Sequence, residues 1–465
     1  MSNAKFFNPK KVTLTSVDGR NYDITSLVGL FSYYEDIYTP FISANMIIID
    51  SGQNLIGNLP IQGGEKILFE LDNIQGEPVE YNLSVWKIFN RKFEKKMQYY
   101  NLALLSEEAL NNEAARVVEK CKANPEQIVR DILVNILKTK KSLQAETSKF
   151  KMSVFPNGRK AHAVIQSLMA RTVPKSTKFN VGNGGANKPP SSGSEIGGSS
   201  KEANGTAGYL FFENKDGFVF KSMDLLCSDG TDSFGGTGPV AEYYSRPAAG
   251  FPSETAFYTI EDYKFSDEID IVEKLNNGIF STHMCYFDIS AQKYEEYTYD
   301  MANTFKNMSH LGSQEDLASY QKKLSEKPSR IMTILLDHEL WYNEEGIANP
   351  EEDGDAQFPD YAKHYTAQAI GRRYLMENQK LEITIPGNSD LKVGDKIKVM
   401  IPNMAAEAIR EKQPYDEENS GTYLIAQLSH NYQLIKESGE PEFTTKLALI
   451  RDTYGIKEYD SKVKT

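Results

Sequence analysis

Asp337, His338 and Glu339 come nearest to a chemical constellation in this sequence. His338-Glu339 begins like the zinc-protease helix motif, where two imidazoles one helical turn apart hold the metal and the Glu serves as base. Tyr342 stands where the second His must be. Without that imidazole the site cannot form, and an ordinary surface or core histidine is the simpler reading. Asp337 and Glu339 are two apart and share one face of a strand, so they could be imagined as a glycosidase acid–base pair. At that spacing, solvated carboxylates are the ordinary case.

Other reactive patterns fail for stated reasons. There is no Gly-Lys-Ser/Thr phosphate loop, and Gly193-Ser194-Glu195-Ile196-Gly197 misses the Gly-x-Ser-x-Gly nucleophile elbow. Val181-Gly182-Asn183-Gly184-Gly185-Ala186 has a nucleotide loop's glycines, but Pro189-Pro190 prevents the helix that such a loop must open. Glu351-Glu352-Asp353-Gly354-Asp355 lacks the calcium-loop ligand order. Six histidines and three cysteines (Cys121, Cys227, Cys285) show no metal-ligand spacing along the chain. Tyr33-Tyr34, Tyr99-Tyr100 and Tyr243-Tyr244 could stack sugars or line an interface; the commoner arrangement puts one ring in a core and one outside. No catalytic residue, cofactor-binding residue or metal ligand is assigned, and the chain reads as non-enzymatic, without cofactor.

The elements begin as strands. Lys11 to Val17 alternates, Asp18-Gly19 turns, and Ile42–Asp50, Glu65–Asp72, Tyr81–Asn90 and Gln98–Leu105 follow, which suggests a barrel or small sandwich. The period then becomes helical. Ser106 caps a helix carrying Leu110, Ala114, Val117, Val118 and Cys121. Asn124-Pro125 starts a second, with Asn as N-cap and Pro at the first helical position, and a third runs from about Lys160 to Thr172. In Asn180–Gly208, 19 of 29 residues are Gly, Ser, Pro or Asn, too little apolar area to offset chain ordering, so a flexible segment is expected. Beyond it, Tyr209–Phe220 reads as a hairpin, Phe257–Asp262 as a strand, and Ser266 to Gly278 as a bracketed helix. Ile279–Ser290, Lys293–Tyr299 and Ile331–Leu336 read as further strands. A helix near Tyr361–Asn378 leads into Leu381–Ile385, Ile397–Ile401, Thr422–Asn431 and Phe443–Arg451, a second β module.

Composition bounds the function. The chain has 465 residues, 52 Lys and Arg against 64 Asp and Glu, and a formal charge of −12. That length suggests about three domains. No apolar run approaches the ~20 residues of a membrane span, and no signal-peptide apolar region opens the chain. The acid excess without a basic block disfavours gripping nucleic acid by phosphate neutralisation. Scattered, scarce cysteines fit cytoplasmic assembly rather than a disulfide scaffold.

The order of segments adds a resemblance. Glu35-Asp36-Ile37-Tyr38-Thr39-Pro40, Met46-Ile47-Ile48-Ile49-Asp50 and Leu59-Pro60-Ile61-Gln62-Gly63-Gly64-Glu65 resemble the opening barrel of the baseplate central hub family of contractile-tailed bacteriophages. Tyr81–Val85, Tyr100–Ser106, Ala163–Arg171 and Phe211–Phe220 continue it, and Leu381–Asn388 with Val393-Gly394-Asp395-Lys396-Ile397 resembles the family's C-terminal barrel. Each string is only a strand with its turn; the order over some 400 residues carries the resemblance.

The resemblance implies an α+β, β-rich fold with two tube-like antiparallel β-barrel modules and helical and mixed insertions. The expected divisions are 1–105, an N-terminal tube-like barrel; 106–179, a helical insertion; and 180–208, a flexible linker. Residues 209–360 form mixed segments, part of them completing the first barrel, and 361–465 a C-terminal barrel. It further implies a homotrimeric structural hub joining a six-fold tail tube protein to a three-fold central spike protein, beside baseplate wedge proteins. DNA is present only in transit, there is no membrane insertion, and the protein resides in the virion. Two other readings remain: a tail-associated cell-wall hydrolase using Asp337 or Glu339, and the hub of a related contractile injection system.

Overall fold

The computed structural model describes residues 9–50, 61–94, 97–149, 151–175, 206–230, 232, 234–245, 257–266, 270–289, 292–314, 316–336, 362–404, 413–434 and 441–455. Seven strands open the chain: β1 (Lys11–Thr15), β2 (Asn21–Asp23), β3 (Val28–Asp36), β4 (Ser43–Asp50), β5 (Lys66–Asp72), β6 (Pro78–Glu94) and β7 (Met97–Leu105). They are hydrogen-bonded in the order β2-β1-β5-β6-β7-β4-β3, all antiparallel. Alternation sets their faces: Val12, Leu14, Ile67 and Phe69 are buried, their neighbours half-buried or exposed. Gly19 takes a φ of +85° in the β1–β2 turn, a conformation that costs a Cβ-bearing residue more.

Among the described residues three helices follow; the first and third are shorter than the periodicity suggests, while the second runs on past Asp131 as a π-helical turn over Ile132–Ile136. The first, α1 (Glu107–Ala114), ends where Ala115 turns extended (φ −94°, ψ 154°). Val117 instead exchanges backbone hydrogen bonds with Arg159 and Gly158, both at 3.0 Å, and Cys121–Ala123 becomes β8. The helical expectation through Cys121 is therefore corrected: an isolated bridge to the turn at Arg159 satisfies Val117's backbone as well as a further helical turn would, and suits a β-branched residue better. Pro125–Asp131 forms α2, starting where Asn124-Pro125 indicates, though the Asn124 side chain donates to Ser148 O (3.3 Å) rather than capping. Two short strands, β9 (Ser142–Ala145) and β10 (Met152–Val154), precede α3 (Ala161–Met169). With the hairpin β11 (Tyr209–Asn214) and β12 (Gly217–Ser222), they enclose a second core around Ile132, Val164, Ile165, Leu168, Phe211 and Phe218. The Phe211 and Phe218 rings stack with centroids 5.5 Å apart.

The middle of the chain contributes α4 (Met223–Cys227), β13 (Ala241–Ser245), β14 (Thr259–Ile260), β15 (Asp262–Ser266), α5 (Ile271–Asn276), β16 (Ser281–Asp288), β17 (Lys293–Asp300), α6 (Ser319–Ser325), β18 (Arg330–Leu336) and α7 (Ala362–Met376). Strand pairing continues through Ser266, so α5 starts later than the Ser266 cap suggests; Asp270 caps it by accepting from Glu273 N–H at 2.8 Å. Gly278, φ +67°, stops it as expected. A third core, with Met284, Tyr286, Tyr299 and Met301, lies under the β17-β16-β18 sheet.

The chain closes with β19 (Gln379–Pro386), β20 (Lys396–Met400), β21 (Gly421–Leu434) and β22 (Pro441–Arg451). One edge of β21 pairs first with β20 and then with β3; the other pairs with β22, which pairs with β19. The β strands at the two ends of the chain thus belong to one 14-stranded sheet and one principal core. Residues 209–360 feed the C-terminal side: β13 pairs with β14 and β20, and β15 pairs with β19. The β-rich α+β class stands, but the expected pair of antiparallel barrels does not: among the described residues no sheet closes into a barrel, and some strands pair in parallel. β13 runs parallel to both neighbours, as do β9 to β12 and β16 to β18, because each is a crossover strand rather than a hairpin partner. Among the described residues no helix is long and apolar enough to cross a membrane.

Candidate functional site: the seam and its open groove

Strand alternation places Phe31, Tyr33 and Glu35 on the inward face of β3, which pairs with β21 from Leu30–Gln433 to Asp36–Gln427. Phe31 stacks on Phe69 (4.1 Å between centroids), and Tyr33 lies against Tyr81 and, at 6.0 Å, His430 of β21. Glu35 is buried in this aromatic setting. Its Oε1 accepts from Tyr33 OH (2.7 Å) and from the Lys215 N–H (2.6 Å), and its Oε2 from the Val393 N–H (2.9 Å). One carboxyl therefore ties the first β module, the β11–β12 turn and the loop before β20. Burial pushes Glu35 up to about 7, against the pull of those three donors. Burial also pushes His430 down to about 3; its Nδ1 lies 2.9 Å from Thr445 Oγ1.

A second buried junction joins α7 to Asp452, the residue after β22. The Arg372 guanidinium is fully buried; its Nη1 donates to Asp452 Oδ2 at 2.7 Å, its Nη2 to Ser309 O, and its Nε lies 3.4 Å from Asp224 Oδ1. His310 Nδ1 also meets Asp452 Oδ2 at 2.7 Å. Burial alone would raise Asp452; His310 and Arg372 hold it well below the usual carboxylate range. Such an arrangement fixes elements relative to one another. It places no nucleophile beside a base in an accessible cleft, which acid–base or covalent chemistry needs.

Outward-facing positions of β3, β15, β19, β21 and β22 line an open groove of about 570 Å³ that crosses the seam. Asp36, Asp262, Lys264, Glu382, Gln427 and Lys446 give it a polar floor with both charge signs.

Asp337, His338, Glu339 and Tyr342 lie outside the described residues. So do Val181–Ala186, Gly193–Gly197, Glu351–Asp355 and nearly all of the 180–208 segment. The tyrosine pairs divide as expected: Tyr33, Tyr100 and Tyr243 are buried, while Tyr34 is exposed and Tyr99 and Tyr244 are half-buried. Sequence reasoning missed Glu35, His430 and Arg372. The parity of Phe31, Tyr33 and Glu35 marks Glu35 as inward-facing; nothing local marks Arg372.

No family model matches the sequence, and no curated protein matches it. Solved structures do. The tail protein from Neisseria meningitidis MC58 superposes with a TM-score of 0.50 at 12% identity, covering 95% of this chain and 96% of that one. This chain has the fold of that tail protein. The 43 kDa tail protein of prophage MuSo2 from Shewanella oneidensis gives a TM-score of 0.47 at 10% identity, with 95% and 98% covered. An E. coli component of the type VI secretion system, described as structurally similar to T4 bacteriophage tail proteins gp27 and gp5, gives 0.42 at 10% identity, with 92% and 75% covered.

Proposed function

We propose that the chain is the structural baseplate hub of a contractile phage tail, a homotrimeric adaptor between the six-fold tail tube and the three-fold central spike. Its β3–β21 ladder carries this reading. Seven consecutive residue pairs bind the N-terminal β module to the C-terminal one, and Glu35 fastens the joint from within. Two tube-like modules held rigidly side by side let three subunits offer six similar units to a six-fold tube. The succession of ladders from β13 through β20, β21, β22 and β19 to β15 supports a tube-like C-terminal module.

In this reading the partners are a second and third copy, the tail tube protein, the central spike protein and baseplate wedge proteins, and the protein resides in the virion. DNA passes through the ring without being held; an excess of 12 negative charges suits a wall that must not adhere to phosphates. The role is architectural rather than catalytic. Light scattering on the purified chain tests it: the expected mass is about 157 kDa, three times the 52.4 kDa chain, alone or with the tube or spike protein present. A stable monomer that binds neither would contradict it.

A further inference from the structure

Ligand spacing absent along the chain is supplied by register on one outer sheet. In β16, Met284 and Tyr286 point into the third core, at 0% and 1% exposure, so His283 and Cys285 share the opposite face. The β16–β17 ladder sets Glu296 directly across from Cys285 and Thr298 across from His283. One ligand atom from each of His283, Cys285 and Glu296 lies within 4.8 Å of the others. His283 Nε2 is 3.7 Å from Glu296 Oε2, while its Nδ1 is 3.0 Å from Thr298 Oγ1. Tyr294 OH donates to the other carboxylate oxygen, Oε1, at 2.5 Å.

We propose that His283, Cys285 and Glu296 form a transition-metal site of the zinc type. The donor set is one sulfur, one imidazole nitrogen and one carboxylate oxygen, which suits a borderline-soft ion and not magnesium or calcium, whose ligands are oxygens. Ligand atoms at zinc–ligand distances of about 2.0–2.3 Å in a tetrahedron lie about 3–4 Å apart, so the present separations need only rotamer adjustment. Thr298 meets the imidazole at Nδ1 and leaves Nε2 for the metal; Tyr294 meets Glu296 at Oε1 and also hydrogen-bonds the Cys285 thiol, a contact that the incoming ion displaces. Binding releases the Cys285 thiol proton, leaving a thiolate and a carboxylate to neutralise the divalent ion. Three protein ligands leave the fourth position to water. The group is half-buried to exposed on strands whose opposite face is packed, so the ion can enter without unfolding the sheet.

Cobalt(II) titration of the reduced, metal-stripped full chain tests this, since thiolate–cobalt charge transfer and intense tetrahedral ligand-field bands report both the sulfur and the geometry. One equivalent is expected to bind, and zinc(II) to displace it. Cys285→Ser should abolish the charge-transfer band, whereas Cys121→Ser should leave it intact. His283→Ala and Glu296→Gln should each weaken binding at least about tenfold. Thr298→Val keeps all three ligands and should weaken binding about tenfold with the band retained. Far-UV circular dichroism confirms that each variant is folded. No thiolate–cobalt band on the folded wild-type chain, or wild-type affinity in Cys285→Ser and His283→Ala, would overturn the site.

Discussion

The Val393 backbone N–H donates to Glu35 Oε2 at 2.9 Å across 358 residues of sequence. On the adjoining strand His430 sits against Tyr33, whose hydroxyl donates to the same carboxyl. The two β modules therefore meet around a buried acid and a buried imidazole, each displaced from its ordinary ionisation range in the direction that favours its neutral form.

These displacements oppose each other in pH. Glu35 rises from 4.5 to about 7, so the folded state keeps a proton that the unfolded state releases; its contribution is full below pH 4.5 and is lost as pH rises to about 7. His430 falls from 6.5 to about 3, so its contribution is full above pH 6.5 and is lost as pH falls towards 3. Between pH 4.5 and 6.5 the two slopes cancel. In Glu35→Gln, unfolding free energy should rise across that window by about 1.4 kcal/mol per pH unit relative to wild type; in His430→Gln it should fall by a similar amount. Urea unfolding of the three proteins at pH 4.5, 5.5 and 6.5 measures both slopes, and parallel profiles would contradict the assignment.

Arg372→Met should be strongly destabilising. It removes the buried cation that faces Asp452 and Asp224 and leaves two carboxylates without their guanidinium. Breaking a buried pair from one side costs about 3–5 kcal/mol, read as a lowered denaturation midpoint with unchanged slope. Asp452, held low by His310 and Arg372, adds stability above its ordinary value of 3.8 that is lost as pH falls below it. The Arg372→Met variant should therefore lose less stability than wild type on acidification below pH 4.

Gly387→Ala and Gly19→Ala separate crowding from backbone strain. A Cβ at Gly387 would lie 1.8 Å from Phe443 Cδ1, in a core position where the ring cannot retreat without opening the β19–β22 end. A Cβ at Gly19 meets nothing within 4 Å, and only its φ of +85° is unfavourable. Thermal unfolding should show a loss of about 1–3 kcal/mol or more for Gly387→Ala and about 1 kcal/mol for Gly19→Ala. Equal losses would contradict the packing at Phe443.

Local patterns read well where one face of an element meets one core. Val12 and Leu14 in β1, Leu381 and Ile383 in β19, and Val164, Ile165 and Leu168 in α3 are buried at the expected period. Reading stopped where a distant segment competes. Val117 keeps a helical position in sequence but pairs with Arg159. Ala241–Ser245 lies between Gly- and Pro-rich stretches, and nothing local indicates that it runs parallel to Lys396–Met400. Arg372 looks like any charge on an amphipathic helix until Asp224 and Asp452 are brought to it by other segments. Likewise, Glu296 is brought to His283 and Cys285 only through ladder register, which spacing along one strand cannot encode.

A reconstruction of the tail tip that carries this chain tests the central claim most directly. The hub reading predicts three copies in a ring around the axial channel, each presenting both β modules to the six-fold tube, with the spike on the opposite side. A chain found off the axis, or present in a copy number other than three, would contradict it.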